Sequence, residues 1–141
     1  MKKLVLNTAL LLAATVMTAK AQHDPEHTIT QSPLKIVTSK IINNEKINNQ
    51  EVKLVYVAFA PGEVSGEHRH PMPAIAYVLE GELESTFDGK VQIFKKGDTF
   101  YEDPNLLHAK TKNMSKTKPA ALLVYFIGDP GVPYITVDQH K

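Results

Sequence analysis

Three histidines have the residue type and spacing to hold a metal ion. His68 and His70 flank a single residue, and His108 lies much further along the chain. In a β-strand, residues i and i+2 point to the same face, so the first two imidazoles can approach one ion from one side. A third ligand from a neighbouring strand would make the site rigid. We therefore predict a metal site formed by His68, His70 and His108.

The available ligand types restrict the chemistry of this site. The sequence contains no cysteine, which excludes thiolate nucleophiles and Cys-ligated metals. Three neutral imidazoles suit a divalent transition metal such as Fe, Ni, Zn or Cu, whereas Mn prefers oxygen ligands. Glu102 is an auxiliary candidate because it could reach inward, and Glu67 should point away from its neighbour His68. A solvated carboxylate is nevertheless the favoured interpretation of both.

The elements that must position these residues are short β-strands. Apolar or alternating segments are separated by turn signals about every ten residues, which is typical of a sandwich or barrel. Asp88-Gly89 predicts a type I′ hairpin turn, and no convincing amphipathic helix follows residue 33. The predicted strands are 34–37, 52–59, 74–79, 82–87, 90–94, 99–102 and 120–127.

The histidine segments resemble the two motifs of the cupin superfamily. The first motif is a glycine, five residues, HxH, three or four residues, a glutamate, six residues and a glycine. Gly62, the His68–His70 pair and Gly81 have this spacing. In the second motif a glycine precedes a histidine by eleven residues, as Gly97 precedes His108. The resemblance spans residues 52–128 and implies an all-β fold, a single cupin-type barrel (a double-stranded β-helix, similar to a jelly roll).

The chain departs from the cupin motifs at several positions. Ala74 stands where the metal-binding glutamate would be, which removes a negative charge and a hard oxygen ligand. By resemblance, some cupin dioxygenases use three histidines without a glutamate, so an enzyme remains compatible with this change. Asn105 replaces the second glycine, a mild change because Asn tolerates the left-handed conformation. Asp103 takes the proline position, with Pro104 one place late, and Asn113 lies one residue beyond the usual asparagine.

The N-terminus has the features of a secretory signal. Lys2 and Lys3 precede a mostly apolar stretch over 4–17, and Ala19 and Ala21 are small residues at the positions that a signal peptidase inspects. We predict a signal peptide over residues 1–21, cleaved after Ala21, and a periplasmic or secreted protein. The apolar stretch is shorter than the roughly 20 residues that span a bilayer, so stable membrane insertion is not expected.

The rest of the chain divides into a leader and one domain. Residues 22–33 are polar and lack periodicity, which predicts a flexible leader carrying His23 and His27. Residues 34–137 form the predicted cupin domain, since 141 residues are too few for two good cores. The net charge of +1 provides no broad basic field for nucleic acid.

Two hypotheses of function follow from these observations. The first is an exported single-domain cupin that holds a divalent metal through its three histidines and acts as a small-molecule oxygenase or isomerase. The alternative is a non-catalytic module that binds a small apolar molecule or a carbohydrate without metal, which the replacement at Ala74 favours. Whether the protein is an enzyme stays open at this point. The resemblance also implies a homodimer, because cupins commonly pair through their sheets.

Overall fold

The protein is an all-β domain, as predicted. A computed structural model describes residues 34–137, so the predicted signal peptide and leader, including His23 and His27, lie outside the described residues. Within 34–137 no helix is long and apolar enough to cross a membrane. The strands are β1 (Lys35–Ile42), β2 (Gln50–Phe59), β3 (His68–Arg69), β4 (Ala74–Glu80), β5 (Glu82–Phe87), β6 (Lys90–Lys95), β7 (Thr99–Glu102), β8 (Leu107–Asn113) and β9 (Ala120–Gly128).

The strands form two antiparallel sheets. The five-stranded sheet has the order β1-β2-β9-β4-β7, and the four-stranded sheet has the order β3-β8-β5-β6. Consecutive strands β4 and β5 lie in different sheets, so the chain passes from one layer to the other at Gly81. This topology places the ends of β3, β7 and β8 around one interior site.

Seven strands correspond to predicted ones, and β8 was missed as a strand. Its sequence, LHAKTKN, lacks the apolar alternation that indicates a strand. The reason is that its buried side chains are polar: His108, Thr111 and Asn113 are all nearly inaccessible to solvent. His108 does lie on a strand next to that of His68, as the predicted site requires, and it is the second residue of β8.

The core lies between the two sheets. Along β4 the burial alternates, with Ala74, Ala76 and Val78 inside and the residues between them more exposed. This period of two is what a half-buried strand requires. Apolar side chains from both sheets pack in the interior, namely Val55, Phe59, Leu83, Leu122, Val124 and Phe126.

The backbone confirms two predictions about turns. Asp88 and Gly89 have φ values of 48° and 71°, the pair of positive angles that a type I′ turn between β5 and β6 requires. Asn105, in place of the motif's second glycine, has a φ of 63°, so asparagine does adopt the left-handed conformation there.

Asn113 fastens the end of β8 to two loops. Its buried amide donates hydrogen bonds to the carbonyl oxygens of Ala60, at 3.0 Å, and Lys118, at 2.8 Å. Its side-chain oxygen accepts a hydrogen bond from the Ser115 amide at 3.0 Å. These bonds tie the loops after β2 and before β9 to the strand that carries His108.

Candidate metal centre

The structure brings the three predicted histidines together. His68 on β3 is the register partner of His108 on β8, and His70 follows β3 directly. The ring centroid of His68 lies 4.8 Å from that of His70 and 4.8 Å from that of His108. The centroids of His70 and His108 are 6.2 Å apart. One nitrogen from each ring can be chosen so that all three lie within 4.8 Å of one another. The three histidines are therefore positioned for metal binding.

Backbone carbonyls orient two of the rings. Nδ1 of His68 lies 2.8 Å from the carbonyl oxygen of Gly66, and Nδ1 of His70 lies 2.7 Å from that of Tyr134. A carbonyl oxygen can only accept, so each Nδ1 carries a proton, and in the neutral ring each Nε2 presents a lone pair. A hydrogen bond on one ring nitrogen that directs the other is the usual arrangement of a metal-ligating histidine.

Two hydroxyl groups hold the third ring. Nε2 of His108 lies 2.8 Å from Oγ1 of Thr111 and 3.1 Å from Oγ of Ser85. The side chain of His108 is buried, and Phe87 packs edge-on against its ring. No sequence pattern pointed to these hydroxyls: Ser85 reaches the ring through the pairing of β5 with β8, and Thr111 lies three residues after His108 on β8 itself.

Glu102 is buried in the same cluster, so its interpretation as a solvated carboxylate is wrong. Glu102 is only 4% exposed to solvent. Oε2 of Glu102 lies 3.1 Å from Nε2 of His70, and Oε1 lies 3.1 Å from Nδ1 of His108. Glu67, in contrast, is exposed as expected for a solvated carboxylate, and it lines the cavity beside the site.

The position of Glu102 in the sheet explains how it reaches the histidines. Glu102 is the last residue of β7, and its register partner on β4 is Ala74. Directly opposed residues of an antiparallel pair share one face of the sheet. The carboxylate therefore lies beside the position where the cupin motif would place its glutamate, and the small Ala74 side chain leaves room for it.

Burial and contacts set the ionisation of the site. Burial lowers the pKa of His68 from 6.5 to about 4, and this outweighs the opposing effect of its hydrogen bond to Gly66. Burial alone would raise the pKa of the Glu102 carboxyl, but the adjacent His108 and His70 rings together lower it to about 2. A neutral imidazole and an ionised carboxylate are the forms that bind metals.

Unpaired polar atoms test whether these residues fit a cation. Nδ1 of His108 and Oε1 of Glu102 are buried without a hydrogen-bond partner among the described residues. They are 3.1 Å apart, yet no hydrogen bond joins them. Leaving buried polar atoms unpaired is costly. A divalent transition metal among the rings and the carboxylate would pair both atoms, so the residues fit such an ion.

A cavity of about 340 Å³ adjoins the histidines. The four candidate ligands contribute to its lining, and apolar side chains of β2 and β9 form much of the rest. A volume of this size is at the lower end of the range for small-molecule sites. The arrangement therefore combines a polar cluster with a mostly apolar, partly open cavity where a small molecule could be held next to it.

The two-sheet fold and the interior histidine cluster define a small β-barrel with a candidate metal centre. Residues 55–126, about half of the chain, match the family model described as a cupin domain. The chain therefore belongs to the cupin family, which confirms the resemblance of its two motifs. No curated protein matches the chain.

Solved structures share this fold. A Klebsiella pneumoniae protein with a double-stranded β-helix domain is 18% identical, with a TM-score of 0.58 over 83% of this chain and 90% of that one. An RmlC-like cupin from Shewanella frigidimarina is 21% identical, with a TM-score of 0.50 over 58% and 78%. A recombinant oxalate oxidase in complex with glycolate is 30% identical, with a TM-score of 0.52. That match covers 60% of this chain but only 45% of the oxidase.

Proposed function

We propose that this protein is a metal-dependent cupin that binds a divalent transition metal and acts on a small molecule. The ligands would be His68, His70 and His108, with Glu102 as the carboxylate. The observation that carries the proposal is that three imidazoles and an ionised carboxylate converge inside the barrel while two of their atoms lack partners. The metal can be Fe, Ni, Zn or Cu, all of which accept imidazole ligands.

The chain's own residues would hold and shield the reacting molecule. A bound divalent metal would supply Lewis acidity, or redox chemistry in the case of Fe or Cu. The carbonyls of Gly66 and Tyr134 fix the directions of two ligands, and the hydroxyls of Ser85 and Thr111 fix the third. The apolar cavity would exclude water from a substrate beside this cluster.

An oxygenase or isomerase is the reaction class that we propose within this function. The similarity to an oxalate oxidase that holds glycolate supports chemistry on a small molecule. Because the chain spans less than half of that protein's length, the oxidase's own reaction is not proposed here.

Metal uptake is the direct test. Untagged protein reconstituted with Fe, Ni, Zn or Cu and then desalted should retain about one ion per chain by ICP-MS for at least one metal. A His23→Ala/His27→Ala variant is the control, because these leader histidines could bind metal adventitiously. Retention of less than about 0.1 ion per chain with every metal would contradict the proposal.

The apolar cavity favours one alternative, a binding module that needs no metal. Such a module would hold a small apolar molecule or a carbohydrate, and the histidines would serve as hydrogen-bonding groups. Metal-free wild-type protein that binds a ligand as tightly as metal-loaded protein would support this alternative.

We also propose that the protein is exported. The basic start, the apolar stretch over 4–17 and Ala19 and Ala21 support a cleaved signal peptide. N-terminal sequencing of the protein made in a Gram-negative host should find Gln22 as the first residue of the periplasmic form. An uncleaved chain in the cytoplasm would contradict this.

A homodimer is the assembly that we propose. The outer face of the five-stranded sheet presents an apolar patch, in which Ile75 lies in register with Tyr101 on one side and Tyr125 on the other. The three residues are 44%, 52% and 43% exposed, in that order. Contiguous exposed apolar surface of this kind marks protein interaction sites. A second copy of the chain is the occupant we propose, because the patch is uncharged and therefore compatible with itself.

Ile75→Lys should separate the dimer into monomers. The substitution places a charge at the centre of the apolar patch, where pairing of two copies would bury it. Light scattering should give twice the monomer mass for the wild type and the monomer mass for the variant. Val91→Lys is the matched control, since Val91 is 62% exposed on the other sheet. A monomeric wild type would overturn the proposed dimer.

A further inference from the structure

We propose that the cavity takes a compact, uncharged molecule with an apolar, ring-sized body and a single oxygen directed at the histidines. This inference rests on the proposed function and names the substrate class of the same site. It separates the protein from cupins that act on small carboxylates, although an oxalate oxidase is among the similar structures.

The lining of the cavity is mostly apolar, and its charged members outside the metal cluster are Glu63 and Glu67. Several of its polar groups have internal partners: Ser65 Oγ accepts a hydrogen bond from the Thr111 amide, Thr111 Oγ1 contacts His108, and the Glu63 carboxylate accepts a hydrogen bond from the Ala60 amide. A neutral substrate would therefore direct its polar group at the metal cluster and its body at hydrocarbon. The apolar lining includes Val55, Val57, Phe59, Phe100, Leu122 and Phe126.

The charges around the cavity disfavour an anion. None of the described lining residues is a lysine or an arginine, and the charged ones are Glu63, Glu67 and Glu102. Carboxylate substrates are usually recognised by a guanidinium or ammonium group that replaces lost hydration. Here a substrate carboxylate would have only the metal, and the acidic Glu102 would already offset part of the metal's charge.

Two basic side chains, Arg69 between the paired histidines and Lys53 on β2, are engaged in other contacts. Nη1 of Arg69, between the paired histidines, donates to the Asn105 carbonyl at 2.7 Å. Nζ of Lys53 lies 2.9 Å from the Glu51 carboxylate and donates to the Val132 carbonyl at 3.2 Å. Neither residue lines the cavity.

The size of the cavity admits a substrate body of one or two rings. Its volume of about 340 Å³ is roughly twice the ~150 Å³ of a cavity that holds benzene. Aromatic walls surround it, and Phe126 packs against both His70 and Tyr134, with ring centroids 5.0 and 5.1 Å apart. An apolar ring fits this space, and its oxygen would face the histidine end.

Benzyl alcohol and benzoate test the inference, because they have similar size but differ in charge. Ligand-observed NMR on Zn-loaded protein should find that benzyl alcohol binds at least about tenfold more tightly than benzoate. Equal or tighter binding of benzoate would overturn the inference, and so would the failure of both probes to bind.

Variants on β2 locate the binding. Val57→Phe should abolish the binding of benzyl alcohol, because the larger side chain fills part of the cavity that Val57 lines. The zinc content should stay unchanged, because Val57 is not one of the candidate ligands. Leu54→Phe is the matched control, since Leu54 lies on the same strand and does not line the cavity. Binding that survives Val57→Phe would overturn the inference.

The same samples distinguish failure of this inference from failure of the proposed metal site. If zinc is retained but benzoate binds better, the substrate class is wrong and metal binding stands. If no metal is retained and benzyl alcohol still binds at Val57 in preference to benzoate, the substrate class stands and the metal proposal fails.

Discussion

Replacing Glu102 with alanine should weaken the binding of a divalent transition metal by about 100-fold or more, since even groups outside the coordination shell change affinity 10- to 100-fold. The carboxylate brings negative charge into contact with the cluster, and its two oxygens lie 3.1 Å from nitrogens of His70 and His108. Without it, three neutral imidazoles would leave the charge of the ion uncompensated. Competition with a chromophoric chelator measures the affinity.

Restoring the motif glutamate should rescue the loss. Ala74 and Glu102 are register partners on β4 and β7, so a glutamate at either position starts from the same face of the sheet. The double variant Ala74→Glu/Glu102→Ala should therefore recover most of the affinity that Glu102→Ala loses. If Glu102 had a purely structural role, moving the carboxylate to the neighbouring strand would not restore the metal affinity.

Two further variants calibrate this experiment. His70→Ala removes an imidazole and should lose at least as much affinity as Glu102→Ala. Glu67→Gln removes an exposed carboxylate beside the same cavity and should leave metal affinity unchanged. If Glu102→Ala binds metal as tightly as the wild type, Glu102 is not a ligand and the three histidines act alone.

The sequence predicted the fold and the histidine cluster because both have local signals. The two motif spacings identified His68, His70 and His108, and turn residues such as Asp88-Gly89 marked the strand ends. The predicted bounds of strands Glu82–Phe87 and Thr99–Glu102 match the observed ones.

The groups around the histidines could not be predicted, because they depend on the pairing of distant segments. Glu102 adjoins an exposed tyrosine in β7 and looked like a solvated acid, but its pairing with Ala74 turns it into the interior. The carbonyl of Tyr134 reaches His70 across 64 residues of sequence. Strand β8 was missed since its buried side chains are the polar ones that serve the site.

Gly81→Ala should be the most destabilising single methyl addition among the described glycines. Gly81 connects β4 with β5 at a φ of +82°, and a Cβ there would lie 2.5 Å from Cβ and 2.9 Å from Cα of Ala120. A left-handed conformation costs roughly 1–2 kcal/mol for a residue with a side chain. Overpacking costs about 1–3 kcal/mol more. We therefore expect a loss of about 2–5 kcal/mol in the free energy of unfolding, measured by urea denaturation.

Two comparisons separate the steric contribution from the backbone one. Gly89→Ala has a similar φ of +71° but nothing within 4 Å of the added Cβ, so it should lose only about 1–2 kcal/mol. Ala120→Gly removes the closest atom, and combined with Gly81→Ala it should destabilise less than the sum of the two single changes. If the losses in the free energy of unfolding of Gly81→Ala and Ala120→Gly were additive, the added methyl group at Gly81 would not be strained against Ala120. Equal losses for Gly81→Ala and Gly89→Ala would show that the contact with Ala120 adds no steric cost.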